Sequence, residues 1–435
     1  MRNAGLAGTL LAAAWLAAPA LAADLQPVAH PEEVGFAADR LQRITDAFQG
    51  YVDSGRLPGA VVLIVRNDKV AYFHTFGWQD RDRKIAMRPD SIFRIASMTK
   101  PIVSVAAMTL VEDGKLDLAA PVSQYLPEFK NLQVGVEERD PKTGVTSLVM
   151  EPQKRPMIVQ DLPRHTAGLV YGQFGDGLVH RAYRAAHIGD RNETLAEMVT
   201  KLSKLPLAHQ PGEVWEYSRA VDVLGRVIEV VSGTTLDRFV EERVTRPLGM
   251  SSTGFYVREA DLGRLAQAQA DPATGRQPVL PDVTKKPRLL SGGGGIVSTA
   301  GDYLKFCEML LHRGEWQEAR VLAPATVDLM TSDALPPGIG YSQRALTSMA
   351  DIAPTPAEGQ GFGLGFAVRT AAGHNPLPGN IGTYYWTGAW GTTFWVDPKE
   401  RLIGIMMIQV PLGNGSPYRR AMRYLTYQAL AAGTG

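Results

Sequence analysis

The chain has 435 residues, with 45 lysines and arginines against 44 aspartates and glutamates, and a formal net charge of +1. Near-neutral charge gives no reason to expect nucleic acid or an acidic membrane surface as a partner. Apolar residues make up 45% of the chain, enough for a large core, and the length suggests two or three domain-sized units. Because Cys307 is the single cysteine, an intramolecular disulfide is excluded.

The N-terminus has the pattern of a targeting segment. Arg2 is followed by an apolar stretch over residues 6–18, and Ala20-Leu21-Ala22 matches an Ala-x-Ala cleavage signal. We therefore predict a cleaved signal peptide over residues 1–22 and a periplasmic or secreted mature chain. A membrane anchor is the alternative interpretation, but the stretch is short for a bilayer, and no later segment is long and apolar enough to be a transmembrane helix.

Hydrophobic periodicity predicts the order of helices and strands in the mature chain. The N-terminal part begins with a helix and a β-hairpin, the middle is mainly helical, and strand character returns late. The predicted elements are a helix over 38–54, strands over 61–65 and 70–76, a helix after Ser97, a long polar loop over 131–156, helices near 194–204, 221–232 and 236–246, strands over 361–369, 393–396 and 402–409, and a helix over 418–431.

This distribution predicts a discontinuous domain organisation. Strand-rich segments at both ends form one mixed α/β (α+β) domain from residues 23–111 and 291–435. A mainly helical domain, residues 112–290, is inserted between them. No internal repeat or low-complexity segment is present.

The string Ser97-Met98-Thr99-Lys100 is a candidate catalytic motif. Helical residues three apart share a face, so the Ser97 hydroxyl and the Lys100 amine are neighbours. A partly buried amine that loses its proton can activate a serine, and free N–H groups at a helix start favour a developing anion. The alternative is an exposed surface pair, but no other serine has a lysine three residues later.

Two further segments carry candidate chemistry. Tyr217 lies in a loop that leads into a predicted helix, and a nearby cation would make its hydroxyl a usable base or proton shuttle. The aromatic segment over 384–391 contains glycines that let a ligand approach the backbone, and one of its N–H groups would join that of Ser97 in an oxyanion hole. The alternative interpretations are a packed loop tyrosine and an aromatic strand edge.

Other patterns exclude several site types. The glycine run over 291–295 lacks the spacing of a nucleotide-binding loop. The eight histidines show no His-Glu-x-x-His or comparable spacing, so we expect neither a metal nor a cofactor, and His165 is expected to be structural. The absence of Gly-x-Ser-x-Gly argues against an ordinary α/β-hydrolase nucleophile.

Five strings in this order resemble the serine β-lactamase and penicillin-binding-protein superfamily, and above all its class C β-lactamase-like branch, the family VIII carboxylesterases. The resemblance covers nearly all of the mature chain. The strings are residues 93–100, residues 161–169, Pro211-Gly212 leading to Tyr217-Ser218, residues 293–300, and Trp386-Thr387-Gly388 before residues 394–398.

The resemblance implies a β-lactamase-like fold, with an antiparallel sheet flanked by helices, an inserted helical domain and the active site between them. It implies that Ser97 is the acylated nucleophile. Lys100 would be the base, or the group that lowers the pKa of Tyr217. Tyr217 would pass the proton to the leaving group and activate water for deacylation, while the N–H groups of Ser97 and Ala389 would hold the oxyanion.

The chain departs from class C β-lactamases at two motif positions. Arg219 stands where they have the asparagine of Tyr-x-Asn, and Trp386 replaces the lysine of Lys-Thr-Gly. An apolar ring at that place suits a neutral ester or amide better than a β-lactam carboxylate. The literal Lys142-Thr143-Gly144 precedes Tyr217 in the polar loop and is predicted to be a turn.

Together these features predict an exported serine hydrolase that cleaves small-molecule carboxylic esters, without a stable membrane insertion. Two alternatives stay open. One is an amide or peptide hydrolase, such as a D-amino-acid peptidase, an oligoamide hydrolase or a weak β-lactamase, and the other is a non-catalytic protein that binds cell-wall fragments. Oligomeric state is not predicted. Candidate substrate-binding residues are Tyr171, Arg219, Trp386, Thr387 and Gly388.

Overall fold

The computed structural model describes residues 27–347, 349 and 353–431. The predicted signal peptide lies outside this part of the chain, so it stays a prediction. Within the described residues, none of the helices combines the length and the apolar character that crossing a bilayer requires.

Helices and strands alternate along the chain, with most strand residues near its two ends. The α-helices are α1 (Ala38–Asp53), α2 (Thr99–Glu112), α3 (Leu178–Ala185), α4 (Leu195–Leu202), α5 (Ala220–Ser232), α6 (Leu236–Val240), α7 (Ala300–Leu311), α8 (Pro324–Met330), α9 (Gln343–Thr347) and α10 (Ser416–Gln428). The strands are β1 (Gly59–Arg66), β2 (Lys69–Asp80), β3 (Ile85–Ala86), β4 (Phe93–Arg94), β5 (Gln133–Arg139), β6 (Thr146–Pro152), β7 (Val214–Trp215), β8 (Val297–Ser298), β9 (Glu315–Trp316), β10 (Ala319–Arg320), β11 (Gly340–Tyr341), β12 (Gln360–Phe362), β13 (Ala367–Arg369), β14 (Tyr384–Thr387), β15 (Thr393–Asp397) and β16 (Leu402–Ile408).

The largest sheet has eight strands in the order β12-β13-β14-β15-β16-β1-β2-β3, and all of its pairings are antiparallel. The N-terminal strand β1 lies beside the late strand β16, with Ala60 opposite Ile408. The two ends of the chain therefore build one sheet, which confirms the predicted antiparallel sheet with flanking helices.

Both faces of the sheet are covered, which explains why β1 and β16 read as continuous apolar runs. Alternate residues of β1 belong to two different cores: Val61 and Leu63 pack with α2 and α7, while Val62 and Ile64 pack with α1 and α10. A substitution that adds a charge to either strand would therefore meet apolar side chains on whichever face it pointed to.

Helix α2 lies between the sheet and the helical part of the chain. Its residues from Thr99 to Leu110 are all buried, and it packs against both α5 and α6. The start of α2 is thus fixed from two sides, which places Ser97 and Lys100 at the junction of strand-rich and helical segments. The predicted division at residues 112 and 290 stays a prediction.

The prediction of a long polar loop over residues 131–156 is wrong, because this segment forms the β5–β6 hairpin. Only Val134 and Gly135 of the hairpin are fully buried, so its sequence lacks the apolar alternation that marks a strand. Lys142-Thr143-Gly144 lies at its tip, where the N–H groups of Lys142 and Thr143 donate to Asp140 Oδ1 at 2.7 and 3.2 Å. The predicted turn at Lys142 is confirmed.

Candidate active site

Ser97 lies in a tight turn that leads into α2. Residues Ala96–Met98 form one 3-10 turn, and Ala96 has a positive φ of 44°, which is unusual for a residue with a side chain. Ala96 and Met98 are buried while Ser97 is half-buried. The turn therefore presents one hydroxyl to a cavity while its neighbours hold the backbone in place.

Lys100 lies one turn after Ser97 and is 1% exposed. Its Nζ donates to Ser97 Oγ at 3.3 Å, to the Tyr171 hydroxyl at 3.1 Å and to the Gly293 carbonyl at 2.6 Å. Burial alone lowers the pKa of Lys100, but the adjacent Tyr171 and Tyr217 hydroxyls outweigh it, and the net effect raises that pKa. In all three of these contacts Lys100 Nζ is the donor, so the amine holds Ser97, Tyr171 and the Gly293 loop around it.

Tyr217 comes from the loop between β7 and α5 and packs beside Lys100. Lys100 Nζ lies 4.5 Å from the centroid of the Tyr217 ring. The indole Nε1 of Trp386 donates to the Tyr217 hydroxyl at 3.3 Å. The structure thus brings Ser97, Lys100, Tyr217 and Trp386 together from three distant parts of the chain.

The segment after β14 closes the site from the other side. Gly388 lies so near the Ser97 turn that a Cβ there would be 2.4 Å from the Ile95 carbonyl oxygen. Arg419 of α10 supports this segment, since its guanidinium donates to the Gly388 and Gly391 carbonyls at 2.5 and 3.3 Å. Glycine at 388 is therefore required for close approach, and Ala389 follows it at the wall of the cavity.

Three residues that organise Lys100 were not predicted for that role. Tyr171 and the Gly293 carbonyl accept its hydrogen bonds, and buried Asp222 holds the glycine loop by accepting from Ser291 Oγ at 2.5 Å and Gly293 N at 3.0 Å. A Cβ at Gly293 would meet Asp222 Oδ2 at 2.8 Å. The glycine run over residues 291–295 thus forms a tightly packed loop whose Gly293 carbonyl accepts a hydrogen bond from Lys100.

Arg219 points inward, with a side chain that is 14% exposed. Its guanidinium lies 4.9 Å from the centroid of the Tyr171 ring and forms an ion pair with Asp222 at 3.3 Å. Arg219 therefore belongs to the cavity wall and contacts the carboxylate that holds the Gly293 loop.

A cavity of about 400 Å³ contains the candidate site. It is large enough for a small to medium organic substrate. The lining includes every predicted site residue except buried Lys100. It also contains four arginines, and none of the lining residues is an aspartate or a glutamate. The predicted residues on its wall are Ser97, Tyr171, Tyr217, Arg219, Trp386, Thr387, Gly388 and Ala389, and the arginines are Arg191, Arg219, Arg344 and Arg419.

His165 packs against the Tyr217 ring, with 4.8 Å between ring centroids, and is 1% exposed. Ser218 N donates to its Nδ1 at 3.4 Å, and its Nε2 has no hydrogen-bond partner among the described residues. Burial, and then the charge of Lys100, hold the pKa of His165 well below its ordinary value. A neutral imidazole is thus built into the wall behind Tyr217.

This neutral histidine makes acid stability a testable property. In the unfolded chain His165 takes up a proton below about pH 6.5, while the folded chain resists it, so the free energy of unfolding falls as pH falls below that value. Between pH 6.5 and 5, the free energy of unfolding measured with urea should fall less steeply for His165→Asn than for the wild type. The difference should be up to about 1.4 kcal/mol per pH unit. His187→Asn is the control, because His187 is exposed and, like His165, has a positive φ. Equal slopes in all three proteins would contradict the assignment.

The chain was compared with known proteins. The family model described as Beta-lactamase matches residues 44–429. The chain is 38% identical over 368 residues to Protein Rv1367c of Mycobacterium tuberculosis. This alignment covers 82% of this chain and 87% of the relative. It is 30% identical over 432 residues to Esterase EstB of Burkholderia gladioli, covering 93% and 99%. The solved structure of EstCE1, a hydrolase with promiscuous acyltransferase activity, superposes with a TM-score of 0.72 at 30% identity over 91% of this chain and 99% of EstCE1. The chain therefore belongs to the Beta-lactamase family, which confirms the resemblance drawn from its motifs.

Proposed function

We propose that this protein is a serine esterase that hydrolyses small to medium carboxylic esters through an acyl-enzyme on Ser97. The observation that carries the proposal is the position of Lys100 Nζ, 3.3 Å from Ser97 Oγ and 4.5 Å from the Tyr217 ring centroid. A nucleophile and its proton-transfer partners are thus already assembled at the wall of a cavity. The similarity to Esterase EstB and to the hydrolase EstCE1 supports an ester as the substrate.

Acylation needs a group that accepts the serine proton. Because Lys100 Nζ donates to three partners in this structure, the accepting form is the Lys100–Tyr217 pair after the loss of one proton. Ser97 Oγ then attacks the ester carbonyl carbon, its proton moves to the pair, and the resulting tetrahedral oxyanion is held by the N–H groups of Ser97 and Ala389. Collapse breaks the bond to the alcohol oxygen, which takes the proton back from the pair and leaves as the alcohol.

Deacylation repeats these steps with water. The pair accepts a proton from the water as its oxygen attacks the acyl carbon, and Ser97 Oγ regains the proton when it leaves. Tyr217 is the member of the pair that reaches the substrate, since Lys100 is 1% exposed and Tyr217 lines the cavity. Lys100 then acts by holding the charge of the pair in place.

Trp386 gives the Tyr217 hydroxyl a fixed donor, and its removal tests the proton-transfer role of Tyr217. We expect Trp386→Phe to lower kcat for p-nitrophenyl butyrate about 10- to 100-fold, the cost of one hydrogen bond to a group that becomes charged. Trp395→Phe is the matched control, because Trp395 is buried in the adjacent strand β15 and its Nε1 has no partner among the described residues. Equal kcat values for the two variants would contradict this role.

An amide or peptide hydrolase would use the same acyl-enzyme chemistry, so substrate comparison separates it from an esterase. Purified mature protein should turn over p-nitrophenyl butyrate, with little activity on the matched anilide and on nitrocefin. Preference for the anilide or for nitrocefin would establish the amide alternative. No turnover, together with no labelling of Ser97 by a fluorophosphonate, would favour the alternative of a cell-wall-fragment binding protein.

We also propose that the enzyme acts after export, in the periplasm or outside the cell. The support is the sequence pattern of residues 1–22, with its basic start, apolar stretch and Ala-x-Ala signal. N-terminal sequencing of the protein recovered from the periplasm or the medium should begin at Ala23. Recovery of the uncleaved chain from the cytoplasm alone would refute export without affecting the esterase assignment.

A further inference from the structure

Three potential metal ligands, two from the end of α7 and one from the β1–β2 turn, meet at the end of the sheet that lies away from Ser97. Asp68 lies in the turn between β1 and β2, Glu308 lies in α7, and His312 directly follows that helix. One ligand atom from each residue can be chosen so that all three lie within 4.8 Å of one another. We propose that Asp68, Glu308 and His312 bind one divalent metal ion, for which zinc is the best match to their donors.

The hydrogen bond of His312 fixes which nitrogen is free to bind an ion. Its Nδ1 donates to the Glu308 carbonyl at 2.9 Å, so the lone pair of the neutral ring lies on Nε2. Metal-binding histidines are oriented in this way by a backbone carbonyl. Nε2 faces Asp68 Oδ1 at 3.2 Å. A lone pair and a carboxylate oxygen repel at this distance unless a proton or a cation lies between them.

Glu308 supplies a second, independent reason for a cation. The residue is 1% exposed, and its Oε2 has no hydrogen-bond partner among the described residues. The same oxygen lies 3.6 Å from His312 Nδ1, and Glu308 belongs to the cluster in which one ligand atom from each residue lies within 4.8 Å of the others. A buried carboxylate oxygen without a hydrogen bond is costly, and a bound divalent ion would remove that cost.

The surroundings leave one oxygen of Asp68 available. Arg401, in the turn between β15 and β16, donates to Asp68 Oδ2 at 2.5 Å, which leaves Oδ1 toward His312. Imidazole nitrogen with two carboxylate oxygens is a donor set that zinc accepts in four-coordinate sites, where ligand atoms lie about 3.4 Å apart. Asp68 and His312 are 40% and 31% exposed in their side chains, so a water molecule can reach the fourth position.

The position of the cluster favours a structural ion over a catalytic one. Strand β16 begins next to Arg401 and runs to Ile408, after which Gln409 Nε2 donates to the Arg94 carbonyl near the Ser97 turn. At about 3.3 Å per residue this strand separates the cluster from the active site by roughly 20 Å. A bound ion would join the end of α7 to the β1–β2 hairpin. The expectation of no metal site considered histidine pairs, whereas this cluster uses a Glu-x-x-x-His pair and an aspartate distant in sequence.

The test uses the mature full chain after chelator treatment and dialysis. We expect titration calorimetry to show one Zn²⁺ per chain, and Co²⁺ to give visible absorption bands typical of a four-coordinate site. A Zn²⁺ concentration about 100 times the dissociation constant should raise the melting temperature by a few degrees. Ester hydrolysis should be the same with and without the ion, so this result is independent of the proposed function.

Asp68→Asn is the principal variant. Asparagine tolerates the positive φ of 63° at this position, so the turn is retained while the ligand charge is lost. We expect Asp68→Asn and His312→Gln to bind Zn²⁺ at least about tenfold more weakly, and His374→Gln, which removes an exposed imidazole elsewhere, to bind like the wild type. No Zn²⁺ binding by the wild type, or equal binding by the wild type and Asp68→Asn, would overturn the proposal.

Discussion

Replacement of Ser97 with alanine is expected to lower kcat/KM for p-nitrophenyl butyrate by at least about 10⁴-fold. The variant removes the oxygen that forms the acyl-enzyme, so Lys100 and Tyr217 have no nucleophile to serve. The oxyanion donors and the cavity remain, and they set the residual rate. Because Ser97 is half-buried and its side chain is small, the free energy of unfolding should change little.

Ser104→Ala is the matched control for this experiment. Ser104 is a buried serine on the same helix α2, its Oγ has no hydrogen-bond partner among the described residues, and it does not line the cavity. Its removal should leave kcat/KM unchanged and fluorophosphonate labelling intact. Near-wild-type turnover by Ser97→Ala, or loss of turnover in Ser104→Ala alone, would refute the assignment of the nucleophile.

Replacement of Lys100 with methionine is expected to cost about 10³- to 10⁴-fold in kcat. Methionine keeps most of the length of the side chain but provides neither the charge nor the donors that now reach Ser97, Tyr171 and Gly293. The Gly293 carbonyl would lose a partner in a buried place, which we expect to lower the free energy of unfolding by about 1–3 kcal/mol. Lys100→Arg should not restore activity, since a planar guanidinium cannot occupy the position of a compact ammonium.

Lys142→Ala is the control for Lys100→Met. Lys142 belongs to the literal Lys-Thr-Gly string, but it lies exposed at the tip of the β5–β6 hairpin. Its removal should leave kcat, KM and stability at wild-type values. A kcat near the wild-type value in Lys100→Met, or a large loss in Lys142→Ala, would show that the third motif and the base have been assigned wrongly.

The parts of the site that depend on local spacing were predictable from the sequence. Ser97 and Lys100 are three residues apart at a helix start, so their proximity follows from helical geometry alone. The position of Tyr217 beside them was expected from the resemblance, not from spacing. The contacts of Lys100 with Tyr171 and Gly293 join residues 71 and 193 positions apart, and no periodic pattern reports such long-range pairs.

The difference between local sequence signals and long-range contacts also explains which fold predictions were right and which were wrong. The strands β1, β2, β15 and β16 are rich in apolar residues because helices cover the sheet, so their sequence signal is strong. The β5–β6 hairpin is held mainly by backbone hydrogen bonds and exposes most of its side chains, so composition made it look like a loop. Short strands such as β14 are fixed by their neighbours in the sheet rather than by their own residues.

The pairing of β1 with β16 determines when the central sheet can be completed during synthesis of the chain. During synthesis β1 and β2 leave the ribosome early, but the edge of β1 that bonds to β16 stays without its partner until residues 402–408 have been made. An apolar strand with an open edge is prone to join the wrong chain. Completion of the sheet therefore waits for β16, and until that strand emerges the open edge of β1 is a place where two nascent chains of this protein can pair with each other.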